Sequence, residues 1–143
     1  MTSIDESESE HRPPPETILF VEDEAIVRMD MAEFLRQSNY RVSEAAGAAE
    51  AIDLLGSKLA IDLVVTDVLM PGEMDGLALA KWIRDNRPGV EVILTSGDEP
   101  SKERASSAHD LGQFLGKPYT GRALVDLVAQ TLARRPSVEG DGA

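Results

Sequence analysis

The sequence predicts a doubly wound α/β fold, a five-stranded parallel sheet in the order 2-1-3-4-5 with helices on both faces. Three observations carry this. Short apolar runs alternate with stretches of helical spacing along the chain. Most of the runs are continuous rather than alternating, which marks strands buried on both sides of a parallel sheet. Right-handed crossovers then leave few ways to wind five such units.

The elements follow in order. Thr17 to Val21 is a short apolar strand, and Glu24 to Ser38 has helical spacing, with Ile26, Met29, Ala32 or Glu33, and Phe34-Leu35 marking one side. Tyr40 to Ala45 alternates weakly, as a strand near a sheet edge does. Ala48 to Leu59 is helical, with Ala51, Ile52, Leu54 and Leu55 facing inward, and Leu63 to Thr66 is a buried strand. Gly76 to Asn86 forms a helix through Leu77, Ala80 and Ile83 that stops before Pro88. Val90 to Thr95 is the fourth strand. Ser101 to Leu111 is a sparsely apolar helix, with only Ala105, Ala108 and Leu111 to bury. Phe114-Leu115 is the fifth strand, and Thr120 caps a last helix through Leu124, Leu127, Val128 and Leu132.

At 143 residues the chain makes one domain. Residues 1–16, rich in Ser and Glu and carrying Pro13-Pro14-Pro15, read as a disordered acidic tail. The domain spans 17–135, and 136–143 form a second short tail. A net charge of −12 argues against direct nucleic-acid binding. No apolar stretch reaches the roughly 20 residues of a membrane span, and the amino terminus lacks the apolar core of a secretory signal, so a cytoplasmic location is expected. The absence of cysteine excludes disulfides, thiolate metal sites and a cysteine nucleophile. Arg134-Arg135 falls where the last helix ends, a position that favours cations.

Four of the apolar runs end in polar groups: Glu22-Asp23-Glu24, then Asp67, then Ser96-Gly97-Asp98, then Lys117-Pro118. In the expected strand order the first and third strands are neighbours at the switch point, where open α/β sheets hold their ligands. Carboxylates gathered there repel one another, and a bound cation relieves the repulsion. Magnesium suits an all-oxygen set beside a phosphoryl group. Asp67 would then be both metal ligand and nucleophile, with the Lys117 ammonium sharing charge on the transferred oxygens and Ser96 hydrogen-bonding one of them. Each residue also has a plainer account. The acids after the first strand could cap a helix, Ser96 could be a turn residue, and Lys117 an exposed charge. It is their joint placement at separate strand ends that favours a site.

Val21-Glu22-Asp23-Glu24, the Asp67–Gly76 loop, Leu94-Thr95-Ser96-Gly97 and Gly116-Lys117-Pro118 together resemble the receiver domain of bacterial two-component response regulators, over about residues 17–133. The resemblance implies a flavodoxin-like fold and Asp67 as phospho-acceptor. It implies a Mg2+ site of Asp23, Asp67, Glu22 and the main-chain carbonyl of Leu69, and phosphoryl contacts from Lys117 and Ser96. Ser96 and Phe114 would be the switch pair, and the Lys117–Pro118 peptide would be cis. Three features depart from the family pattern. Glu22 stands where many members have Asp, Glu73 lengthens the loop after Asp67 and is expected to face solvent, and Ser rather than Thr holds the switch position. Thr95 is the neighbouring rival, but strand alternation sends only one of the two toward the site.

A stand-alone regulator is expected, accepting phosphoryl groups from a sensor histidine kinase or phosphotransfer protein. It would signal to a downstream protein through the face formed by about residues 101–134, with a homodimer also allowed and no small-molecule turnover. His11 and His109 read as surface side chains, since a phosphotransfer histidine stands on a long bundle helix. Two rivals fit less well. An aspartyl phosphatase of the haloacid-dehalogenase type needs a second acid where Leu69 stands. A flavodoxin-like cofactor binder needs a phosphate-cradling loop where Glu22-Asp23-Glu24 would repel it. A receiver fold acting only as a phosphorylation-independent interaction module is the remaining alternative.

Overall fold

Strands with no polar alternation must be covered twice, and the chain supplies a helix after each one. A computed structural model describes residues 15–135; of the tails expected at 1–16 and 136–143, residues 1–14 and 136–143 lie outside the described residues. The order is β1 (Thr17–Val21), α1 (Ala25–Gln37), β2 (Arg41–Ala45), α2 (Ala48–Leu55), β3 (Leu63–Asp67), α3 (Gly76–Asn86), β4 (Glu91–Ser96), α4 (Glu99–Ser107), β5 (Gln113–Gly116) and α5 (Gly121–Arg134). The five strands form one parallel sheet, β2-β1-β3-β4-β5. This is the expected flavodoxin-like winding. No helix among the described residues is long and apolar enough to cross a membrane.

The two-residue period of each strand divides the core in two. Leu19, Val21, Val64, Val92 and Leu94 pack under α2, α3 and α4. Ile18, Phe20, Leu63, Val65 and Ile93 pack under Leu35 of α1 and Leu124, Val128 and Leu132 of α5. Asp75, Asp98 and Thr120 begin α3, α4 and α5 by accepting the amides of Ala78, Ser101 and Ala123. At the other end of the sheet Arg135 pairs with Asp62 at 3.0 Å and Glu16 at 3.8 Å, tying the end of α5 to the start of β1.

Three expectations about the helices need correction. Ile26, Met29 and Phe34 do not mark the buried side of α1: they are 77%, 61% and 45% exposed, while Ala32 and Leu35 are buried. The narrow inward stripe of the helix runs through Ala32 and Leu35, and the half-exposed Phe34 ring lies against Gly121 at the start of α5. Helix α2 ends at Leu55, before Leu59, where Gly56 caps it and the Ser57 hydroxyl donates to the Leu54 carbonyl. Helix α4 spans Glu99–Ser107 rather than 101–111. The Asp98 cap and Pro100 in the first turn, where a missing amide costs nothing, start it early.

Candidate functional site

Register alone brings two acids together. Val21 of β1 lies beside Thr66 of β3, so Glu22 and Asp67, each one residue further on, leave the sheet side by side. Both are buried, Glu22 at 1% and Asp67 at 8% exposure, whereas Asp23 is exposed at the rim. Carboxylate oxygens of Glu22, Asp23 and Asp67 lie within 4.8 Å of one another. Lys117, following β5, reaches in from the other side and donates to Asp67 Oδ2 at 2.8 Å and to Glu22 Oε1 at 3.3 Å.

Burial pushes the Glu22 carboxyl above the usual carboxylate range, although the Glu24 amide and Lys117 act against the shift. Burial also disfavours the Lys117 ammonium, but the hydrogen bond and charge of Asp67, joined by those of Glu22, outweigh it. Its pKa is therefore above the ordinary lysine value, and the cation persists at neutral pH. Three carboxylates and one ammonium leave the pocket short of positive charge. An all-oxygen donor set of this size fits a small hard divalent cation such as Mg2+.

The loop after Asp67 depends on one glycine. A Cβ at Gly76 would lie 1.9 Å from the Asp67 carbonyl oxygen, so only glycine lets the loop close back onto the strand end. The Gly76 amide donates to the Val68 carbonyl at 2.9 Å. Within the loop the Leu69 amide donates to Asp67 Oδ1 at 3.4 Å, which brings the Leu69 main chain to the pocket while its side chain is exposed. Glu73 is exposed.

Ser96 and Thr95 are both buried. The Ser96 hydroxyl donates to the Asp98 carbonyl at 3.4 Å, and the Ser96 carbonyl accepts the Lys117 amide at 2.7 Å. Ser96 and the reaching lysine therefore share a main-chain tie. Phe114 is half-buried against the core under α2–α4, with its ring beside Gly116. The Lys117–Pro118 peptide is cis. His109 is exposed and outside this cluster, and His11 lies outside the described residues.

Sequence reasoning missed two further contacts and one buried hydroxyl. Arg28 donates to the Glu22 carbonyl at 2.7 Å, and Arg104 on α4 pairs with Asp75 at 2.7 Å. The Tyr119 hydroxyl is buried without a hydrogen-bond partner among the described residues, and its pKa is pushed up to about 12, chiefly by burial. Nothing local in the sequence signals them, since each depends on loops meeting in space. Ile26, Met29 and Leu69 are exposed apolar side chains, and Ile26 lies in one groove with Lys117. Between α1 and the β5–α5 connection runs a groove of about 430 Å³, lined by Ile26, Val27, Asp30, Lys117, Pro118 and Tyr119 among others.

Comparison with known proteins gives a consistent result. Residues 18–129 match the family model described as the response regulator receiver domain. The chain is 37% identical over 123 residues to the sensor kinase CckA of Brucella abortus, covering 83% of this chain and 13% of that protein. It is 35% identical over 123 residues to the transcriptional regulatory protein PdtaR of Mycobacterium tuberculosis, covering 84% of this chain and 58% of the relative. The chain thus spans only part of the curated relatives it matches. Among solved structures, a response regulator receiver protein from Sinorhizobium medicae superimposes with a TM-score of 0.77 at 34% identity, covering 85% of this chain and 98% of that one. A match over most of the folded chain, on a sheet wound in this order with its acids at this edge, leads to one conclusion: the chain belongs to the response regulator receiver domain family.

Proposed function

We propose that the protein accepts a phosphoryl group on Asp67 from the histidine of a sensor kinase or phosphotransfer protein, in a Mg2+-dependent reaction. The observation that carries this reading is the pairing of Lys117 with Asp67 at 2.8 Å inside a pocket of three carboxylates. Asp23, Asp67, Glu22 and the Leu69 carbonyl would hold the ion. When bound, Mg2+ supplies charge neutralisation to the phosphoryl oxygens. An Asp67 oxygen forms its bond to phosphorus as the bond from phosphorus to the donor imidazole nitrogen breaks, and the bonding pair stays on that nitrogen. Lys117, which pairs with the Asp67 carboxylate, would move onto the oxygens of the new acyl phosphate, and the Ser96 hydroxyl would meet a second oxygen. The exposed Ile26, in the groove that Lys117 also lines, gives a protein donor an apolar contact beside the pocket.

The signal would leave through the face formed by α4, β5 and α5, where Ser96 and Phe114 connect to Ser101–Arg134. Acting alone, such a receiver signals by a protein contact or by onward phosphotransfer. A cytoplasmic location goes with a donor kinase charged from ATP.

Incubation with Mg2+ and acetyl phosphate, followed by intact-mass measurement, tests the reading. One phosphoryl group should be added, and Asp67→Asn should lose it, because an amide is a poor nucleophile and a weaker ligand. Peptide mapping identifies any slow acceptance by a neighbouring acid. No mass gain in the parent protein favours the phosphorylation-independent interaction module instead.

A further inference from the structure

We propose that Arg28 is a positioning residue for the metal site, which it serves without touching the ion: by gripping the Glu22 carbonyl it sets the direction in which Asp23 presents its carboxylate. The inference rests on the metal-dependent reading above. Glu22 is held at every polar group. Its amide donates to the Ala45 carbonyl at 3.0 Å, its Oε2 accepts the Glu24 amide at 3.1 Å, and its Oε1 accepts Lys117. Its carbonyl accepts Arg28 Nη1 at 2.7 Å. Asp23 is the opposite case, exposed and with no donor on its carboxylate among the described residues. What fixes its direction is the chain entering it. The Glu22–Asp23 peptide is planar, so holding its oxygen also holds the plane in which the Asp23 amide and Cα lie.

The placement of Arg28 calls for such a role. It lies in the first turn of α1, where a cation opposes the helix dipole, and a few residues from a site built for another cation. Neither position favours an arginine for charge alone. The guanidinium is instead turned toward β2, where Nε meets Glu44 Oε1 at 3.5 Å. Arg36, about two turns further along α1, pairs with the same carboxylate at 3.0 Å. Glu44 thus anchors the guanidinium on the sheet while its other edge holds the Glu22 carbonyl. Only a planar fork with several donors spans both points, and lysine cannot replace it fully.

The two possible roles of Arg28 predict opposite signs. Removing a nearby positive charge, with nothing else changed, tightens Mg2+ binding. Removing a positioning contact weakens it, by about tenfold where a supporting residue orients a ligand. Calorimetric titration with Mg2+ alone, on the full chain, should show weaker binding for Arg28→Ala. The Mg2+ concentration giving half-maximal phosphorylation by acetyl phosphate should rise by a matching factor. Arg28→Lys keeps the charge and should also bind more weakly than the parent, and Glu44→Gln should show a smaller loss in the same direction. These two carry the test if Arg28→Ala does not fold. Equal or tighter Mg2+ binding in the variants, with or without a fall in Tm, overturns the inference while leaving the Mg2+ site intact. A parent protein that binds no Mg2+ overturns the functional reading itself.

Discussion

The two sides of the pocket are held in different ways. On the β1–β3 side the acids rest on a dense set of ties. Glu22 is bonded through its amide, carbonyl and carboxylate, and Asp67 is bonded to Lys117 and to the Leu69 amide with Gly76 packed on its carbonyl. On the β4–β5 side, α4 buries only Ser101 and Ala105, and Phe114 is half-buried. Besides Lys117, which reaches the acids from the end of β5, the ion pair of Arg104 on α4 with Asp75 at the start of α3 is the bridge between the sides. Under the proposed function the difference is a division of labour. Groups that must meet a phosphoryl group and an ion gain from being fixed beforehand. A surface that reports the event must be able to move, and an element with few buried contacts opens most readily.

The largest expected effect breaks the fixed side. Gly76→Ala places a methyl group against the Asp67 carbonyl, with main-chain atoms rather than a flexible side chain in its way. It should cost about 3 kcal/mol in urea unfolding, at the upper end for an overpacked site, and should slow phosphorylation by displacing Asp67. A variant as stable and as reactive as the parent would show that the loop does not set the Asp67 main chain.

Next comes the bridge. Asp75→Ala removes the cap of α3 and the partner of Arg104 together, and should cost about 1 kcal/mol for the cap alone. Its pH dependence has a definite sign. Partial burial of Asp75 disfavours its charge, but the Ala78 amide and Arg104 outweigh that, and its pKa lies below the ordinary 3.8. The stability it contributes is therefore fully present above pH 3.8 and is lost as the pH falls through its lower folded value. The gap in unfolding free energy between parent and variant should narrow only in strong acid. A gap that already closes between pH 7 and pH 5 would assign the effect to other groups.

The same contrast explains what could be read from the sequence. The strands were legible because a continuous apolar run has one use in a soluble sheet. The acids, Ser96 and Lys117 stood out because each ends such a run. The buried face of α1 is not legible locally because Ile26, Met29 and Phe34 satisfy helical spacing as well as Ala32 and Leu35 do, and tertiary packing decides between them. The start of α4 was misplaced because the Asp98 cap and Pro100 resemble turn chemistry when read alone. Arg28–Glu44 and Asp75–Arg104 join separate elements, so no local period announces them.

The smallest effect belongs to Ser96→Ala. A near-complete switch, from 1:99 to 99:1, needs about 5.5 kcal/mol of differential stabilisation. One charge-assisted hydroxyl contact supplies about 1.5–3 kcal/mol, so the variant should still accept a phosphoryl group but respond only in part.

Amide hydrogen exchange with and without Mg2+ and beryllofluoride, a phosphoryl mimic, tests the division between the two sides most directly. The account predicts a change in exchange rates concentrated in residues 96–120, reduced in Ser96→Ala, with residues 18–28 altered far less. Identical exchange in residues 96–120 with and without the mimic, once its binding is confirmed, would contradict the account and leave a receiver that carries a phosphoryl group without switching.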